Sequence, residues 1–164
     1  MENCKMKIEL AGEEDREEIL ALYRMQIGRE FCPWTEQYPG NDEITYDLSR
    51  DALFIMRDEG WIIAAVSLEE DPQVDALECW TKDLQPGGEL ARVAVHPDYQ
   101  NRGLARQMVQ YGLDKLKERG YRSFHAVVNR LNEKAIRSYA VFHFNVVGEC
   151  EMYDQPFFCY EKEL

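Results

Sequence analysis

Residues 88 to 106 read Gly-Glu-Leu-Ala-Arg-Val-Ala-Val-His-Pro-Asp-Tyr-Gln-Asn-Arg-Gly-Leu-Ala-Arg. The stretch divides into a strand, a loop and the first turn of a helix. Val93 and Val95 are β-branched and flank a small residue, the pattern of a buried strand. His96-Pro97-Asp98 ends it, because proline cannot donate to a sheet ladder. A helical stripe follows at Ala105, Val109, Gly112, Leu113 and Leu116. The junction, Gln100-Asn101-Arg102-Gly103-Leu104-Ala105-Arg106, puts a glycine at a helix start with arginines on both sides. The first N–H groups of a helix have no partner in their own ladder and bind anions well. A residue without a Cβ lets a phosphate oxygen approach the backbone. An ordinary strand–loop–helix crossover with a basic first turn has the same spelling, and the residue chemistry alone does not separate the two.

The charge distribution bears on that choice. The chain carries 19 basic and 31 acidic side chains, a net charge of −12. Residues 1–91 hold 8 basic and 22 acidic groups, residues 92–137 hold 10 and 4, and residues 138–164 hold 1 and 5. The one basic block coincides with the loop of interest. An acidic molecule is a poor match for nucleic acid, whose binding rests on neutralising phosphates, but a local site for a small polyanion survives that objection.

In this stretch Val93-x-Val95-x-Pro97-x-Tyr99-Gln100-x-Arg102-Gly103-x-Ala105 resembles motif A of the GNAT acyltransferases, Gln/Arg-x-x-Gly-x-Gly/Ala. Ala105 stands where glycine is commoner. The resemblance implies that Gln100, Asn101, Arg102, Gly103, Leu104, Ala105 and Arg106 hold the pyrophosphate of acetyl-coenzyme A. It also implies that the backbone of Val93, Ala94 and Val95 contacts that co-substrate, with an oxyanion donor near Val93 or Val95. A second motif, Asn132-x-x-Ala135-Ile136-x-x-Tyr139, resembles motif B. On a helix these residues share a face, and the resemblance adds Asn132, Ala135 and Tyr139 to the cofactor site. On its own the helix is better explained by Tyr139 being a core aromatic with a polar tip. The family usually continues with Gly-Phe; here His143-Phe144 stands, and His143 is read as a left-handed helix terminus, since His is among the residues enriched there.

Acyl transfer to an amine requires removal of a proton from the ammonium, a donor to the oxyanion and a proton for the leaving thiolate. Tyr139 is the candidate acid and Glu89 the candidate base. Glu89 shares strand parity with Ala91, Val93 and Val95 unless a bulge intervenes, and its offset matches the catalytic Glu of histone-acetylating members of the family. A strand-end Glu in solvent is the plain alternative. Phe31, Trp34, Tyr38 and Trp80 are candidate walls of the acceptor pocket, Trp80 alternatively pinning a loop to the core. No spacing of His or Cys suggests a metal.

The remaining elements follow from periodicity and turn chemistry. A strand spans residues 6–11. A helix opens at Gly12 and runs to about Glu30 on the stripe Ile19, Tyr23 and Ile27. Asn41 or Asp42 caps a second helix to about Asp51. Two strands, 53–57 and 61–68, join at Asp58-Glu59-Gly60. Residues 69–87 read as a loop, Gly120 ends the motif A helix, 121–128 is a strand, and 145–153 and 157–161 close the chain as a strand pair.

The predicted fold is α/β with a mixed sheet, in the order β-α-α-β-β-β-α-β-α-β-β. The resemblance implies the same order and a splay between the fourth and fifth strands. One domain, 1–164, is expected: apolar content of 45% suits a globular core. With no apolar run of about 18 residues, no apolar leader and no Cys-x-x-Cys pair, a cytoplasmic chain with reduced thiols is expected. The expected function is N-acetyl transfer from acetyl-CoA to a primary amine in a ternary complex. The alternatives are a non-catalytic acyl-CoA-binding module and a protein N-terminal or lysine acetyltransferase. The expected partners are acetyl-CoA and the amine, with no nucleic acid and no membrane; a homodimer is left open.

Overall fold

The computed structural model describes residues 6–29 and 32–164. The strands are β1 (Met6–Leu10), β2 (Leu53–Asp58), β3 (Trp61–Glu69), β4 (Gly87–Val95), β5 (Ser123–Asn129), β6 (Asn145–Met152) and β7 (Gln155–Glu163). The helices are α1 (Arg16–Arg24), α2 (Asn41–Ser49), the single turn α3 (Pro72–Asp75), α4 (Leu104–Glu118) and α5 (Glu133–Ala140). The sheet order is β1-β2-β3-β4-β5-β7-β6. The mixed α/β class and the element order agree with the sequence reading, apart from the added turn α3. Contacts group the chain into two compact units, one of the described residues up to Glu69 with Ala91–Gly112, the other of Glu70–Leu90 with Leu113–Leu164.

In the first unit β2 pairs antiparallel with β1 and β3, with Ile8 opposite Met56 and Phe54 opposite Val66. Leu53, Phe54, Ile55 and Met56 are all buried, so β2 is covered on both faces. Ile19, Leu22 and Tyr23 of α1 and Ile44 of α2 pack on Leu53, Ile55, Ile62, Ala65 and Ala94. Each such side chain contributes about 1.5–3 kcal/mol of transfer free energy. Glu59 (φ 51°) and Gly60 (φ 90°) make the β2–β3 turn from two successive left-handed residues, the geometry that matches the twist of a tight hairpin.

Three sequence expectations in this unit need correction. Helix α1 ends at Arg24, not near Glu30. After Met25 the backbone bonds tighten to three-residue spacing, Gln26 N–H to Tyr23 O and Ile27 N–H to Arg24 O. The buried Gln26 amide turns inward, donating to Leu22 O (3.1 Å) and Val95 O (3.0 Å), while Ile27 is exposed. Helix α2 is capped by Gly40, whose N–H donates to the Glu43 carboxylate at 2.7 Å. On α4, Ala105 is exposed and Met108 takes its place in the core.

In the second unit β5 pairs antiparallel with β7 from Ser123↔Glu163 to Asn129↔Phe157, and β7 pairs with β6. β4 pairs parallel with β5 at Gly87↔Ser123 and Gly88↔Phe124. Gly87 belongs to β4 rather than to a loop, and Gly88 lies in the strand as expected. A Cβ at Gly87 would lie 2.5 Å from His125 Nδ1, and one at Gly88 would lie 2.7 Å from Leu116 Cδ2. The region read as a loop contains α3, capped by Asp71, which accepts from Gln73 N–H at 3.0 Å. No helix among the described residues is long and apolar enough to cross a membrane.

Candidate active site

The loop before α4 is built by short-range bonds. His96 N–H donates to Ile63 O at 2.7 Å, and His96 Nδ1 accepts from Asp98 N–H at 3.1 Å. Tyr99 donates its hydroxyl proton to Asp58 Oδ2 at 2.7 Å, tying the loop to the β2–β3 hairpin. The Arg102 guanidinium lies over the Tyr99 ring, 5.2 Å from its centroid. Asn101 (φ 62°) and Gly103 (φ 77°) are both left-handed. Gly103 O accepts the first bond of α4, from Gln107 N–H at 3.1 Å, so the N–H groups of Leu104, Ala105 and Arg106 precede the helical ladder.

A Cβ on Gly103 would have no neighbour within 4 Å, so the backbone there faces open space. The Gln100 side-chain Nε2 is buried with no hydrogen-bond partner among the described residues. A buried donor of this kind is costly unless something accepts from it. Together these groups fit the diphosphate of a coenzyme: a left-handed glycine, three ladder-free N–H groups, an orphaned amide and two arginines.

Upstream on β4, Ala94 and Val95 are buried and Val93 is half-buried. Arg92 has φ 50° in mid-strand. A left-handed residue there interrupts the pleat as a bulge does, so the parity that linked Glu89 to Val93 and Val95 does not run unbroken along the strand. Arg92 is also buried. Neither property was visible in the sequence, since arginine favours neither.

The second unit carries the candidate acid and base. Asn132 caps α5, its Oδ1 accepting from Ala135 N–H at 3.0 Å. The cap aims the helix, a local role for Asn132 beside the cofactor contact expected of it. Tyr139 lies 5.5 Å from the Phe144 ring and 6.0 Å from Tyr160, centroid to centroid. Burial raises the Tyr139 pKa above its usual value, and the Glu89 carboxylate and Tyr160 raise it further. Tyr139 is therefore both an aromatic in a packed cluster and a phenol within electrostatic reach of Glu89. His143 has φ 57° after the end of α5, the left-handed terminus expected of it.

The acceptor-wall residues separate. Phe31 lies outside the described residues. Trp34 is half-buried and meets Tyr23 edge-on at 5.5 Å. Tyr38 is 46% exposed, and its hydroxyl oxygen accepts from Arg92 Nη1 at 3.2 Å. Trp80 is buried, stacks on His125 at 4.5 Å and donates from Nε1 to Val74 O at 2.8 Å, the geometry of a pin rather than a pocket wall. Among the described residues no group of three His, Cys, Asp or Glu is placed to hold a metal.

The mixed seven-stranded sheet thus carries, ahead of α4, a loop whose left-handed glycine and arginines suit an anionic group. A profile of the acetyltransferase (GNAT) family matches residues 8–144, and the chain belongs to that family. It is 28% identical over 169 residues to mycothiol acetyltransferase of Nocardiopsis dassonvillei, covering 90% of this chain and 50% of that protein. It is 38% identical over 56 residues to the [ribosomal protein bS18]-alanine N-acetyltransferase of Escherichia coli, covering 34% of this chain and 38% of that protein. The chain thus spans half or less of the length of these curated relatives. In structure it resembles yncA of Salmonella typhimurium, solved with its cofactor acetyl-CoA, with a TM-score of 0.71 and 16% identity. That likeness covers 97% of this chain and 94% of the other.

Proposed function

We propose that the protein is an acetyl-CoA-dependent N-acetyltransferase that passes the acetyl group directly to a primary amine. The observation that carries this reading is the loop at 100–106, where Gly103 opens the backbone to an anion and Gln100 Nε2 awaits an acceptor. The N–H groups of Leu104, Ala105 and Arg106, with Arg102 and Arg106, take the diphosphate. Glu89 removes a proton from the ammonium. The amine then attacks the thioester carbonyl carbon while a backbone N–H near Val93 or Val95 donates to the oxyanion. As the carbon–sulfur bond breaks, Tyr139 gives its proton to the departing thiolate.

The protonation states suit these roles. A CoA thiol has a pKa near the free-thiol value of about 8.5, and an ordinary phenol sits at about 10. Tyr139 is higher still, so it holds its proton at neutral pH and donates only as charge collects on sulfur. The resemblance to a ribosomal-protein alanine acetyltransferase supports peptide N-termini among the acceptors, beside small amines. The acidic composition outside residues 92–137 supports a cationic acceptor over an anionic one.

A screen for free CoA release across polyamines, amino acids, aminoglycosides and peptide N-termini tests this. Enzyme-dependent release with at least one amine, matched by N-acetylated product, is expected. Tight acetyl-CoA binding with no turnover on any amine would favour the non-catalytic acyl-CoA-binding alternative.

A further inference from the structure

Three cysteines far apart in sequence meet in the second unit. Cys159 of β7 is fully buried, and Cys79 and Cys150 are half-buried. All three belong to one cluster with Val74, Trp80 and Met152. On β6, Gly148 stands directly opposite Cys159. A Cβ at Gly148 would lie 2.8 Å from Cys79 Cβ and 3.9 Å from Cys159 Cβ. Cys79 therefore fills the space that a side chain at 148 would take, and only glycine permits so close an approach. Burial holds the Cys159 pKa well above the usual thiol value, and the neighbouring Cys79 and Cys150 thiols raise it further.

The backbone that carries Cys79 is already fixed along β7. Thr81 N–H donates to Glu161 Oε2 at 2.9 Å. Thr81 stands two residues beyond Cys79, and Glu161 stands two beyond Cys159 on the same face of β7. Trp80, between Cys79 and Thr81, is held by its stack on His125 and its bond to Val74 O. A lone buried cysteine is inert filling for a core. Here a partly accessible thiol is held beside a buried one by contacts on neighbouring residues.

We infer that Cys79 and Cys159 form an oxidation site, at which a hydroperoxide converts the two thiols to a disulfide that fastens the segment between α3 and β4 to β7. Cys79 is the member a small oxidant reaches, since Cys159 has no exposed surface. The Cys79 thiolate attacks one peroxide oxygen and the O–O bond breaks. Sulfur becomes a sulfenic acid, and the other oxygen leaves as water with the proton the thiol gave up. The Cys159 sulfur then attacks the sulfenic sulfur. The S–O bond breaks, and the hydroxyl leaves as a second water with the Cys159 proton. The two thiols lose two electrons and the peroxide gains them. The inference does not depend on acyl transfer.

The test treats the reduced full chain with hydrogen peroxide, alkylates the remaining thiols and maps a digest made without reductant by mass spectrometry. The chain should lose two of its five thiols, with the peptide of Cys79 joined to that of Cys159 and separated again by dithiothreitol. Cys79→Ser should abolish the link, and Cys150→Ser should keep it. Amides at 76–86 should exchange more slowly in the oxidised form. A link from Cys150 to either residue, a link between two chains, or sulfinic acid at Cys79 with Cys159 still a thiol would overturn the inference. Unchanged exchange in the linked protein would overturn the fastening.

Discussion

The Glu89 carboxylate raises the pKa of the Tyr139 phenol, an effect second only to burial of the ring. Two titratable groups thus influence one another at the positions that sequence reasoning assigned to base and acid. Each favours the role of the other: an ionised Glu89 keeps Tyr139 protonated, and a protonated Tyr139 adds no negative charge against Glu89. Environments that push apart a carboxylate and a phenol are a common basis for dividing acid and base work.

Removing the carboxylate tests the base. Glu89→Gln should lose most activity near neutral pH and recover part of it at high pH, where the amine deprotonates without help. The same change removes one of the influences that raise Tyr139, so the phenol should titrate lower. A pH–rate profile together with a phenolate difference titration against Glu89→Gln/Tyr139→Phe checks both. An unchanged profile would return Glu89 to a plain strand residue.

The coenzyme loop is tested by Gly103→Glu, which should abolish acetyl-CoA binding in a folded protein. The space around the Gly103 Cβ position is open, so the fold bears only the cost of a side chain at φ 77°. That cost is about 1–2 kcal/mol, against a typical stability of about 5–15 kcal/mol. The added carboxylate lies where the diphosphate charge would be. Gly103→Ala carries the same backbone cost without the charge and should bind more tightly than the glutamate variant. Calorimetry reads both, and wild-type affinity in folded Gly103→Glu would remove the site from residues 100–106.

Stability should depend on pH through His125. The ring is buried, its Nε2 donates to Asp75 Oδ1 at 2.8 Å, and its Nδ1 has no hydrogen-bond partner among the described residues. Burial lowers its pKa below the usual value of 6.5, outweighing the opposing pull of Asp75 and Glu161. The unfolded chain therefore takes up the proton more readily than the folded one. The stabilisation is complete above about pH 6.5 and is lost as pH falls through the lower folded value. Melting temperatures across this range should decline with acid in the wild type and decline less in His125→Gln. Parallel slopes would mean that the ring charges without cost.

Acidic composition bears on the acceptor kinetics. A field from 31 acidic side chains against 19 basic ones raises encounter with cations, and salt screens it over about 10 Å at 0.1 M. For a cationic amine, kcat/KM should fall as salt rises. A preferred acceptor of net negative charge, or a flat salt response, would count against this.

Much of the fold was legible because period and turn chemistry act locally. The stripe on α4, the Glu59-Gly60 hairpin and the left-handed His143 need only neighbouring residues to be recognised. The early end of α1 was not legible, because Gln26 leaves the helix to reach the Val95 carbonyl, 69 positions away. Arg92 was missed for the same reason: its left-handed backbone and burial depend on Asp47, Glu69 and Tyr38, which sequence spacing does not bring together. Gly87 looked like a loop glycine because the side chain that excludes a Cβ there, His125, comes from a later element. At the candidate site, the anion loop was visible from its glycine and arginines. The contacts of Trp80, stacking on His125 and donating to Val74 O, were not legible because sequence spacing does not bring these residues together.

The central claim, direct transfer with Tyr139 as the acid, is tested most directly by single-turnover kinetics of Tyr139→Phe on an amine that the wild type acetylates. The change keeps the ring against Phe144 and Tyr160 and removes only the hydroxyl, so acetyl-CoA affinity should hold. General acid catalysis is typically worth about 10²–10⁴-fold, or roughly 3–5 kcal/mol, and the rate of the chemical step should fall by a factor in that range. A wild-type rate, with chemistry shown to limit turnover, would contradict the account and leave Tyr139 as an aromatic of the core.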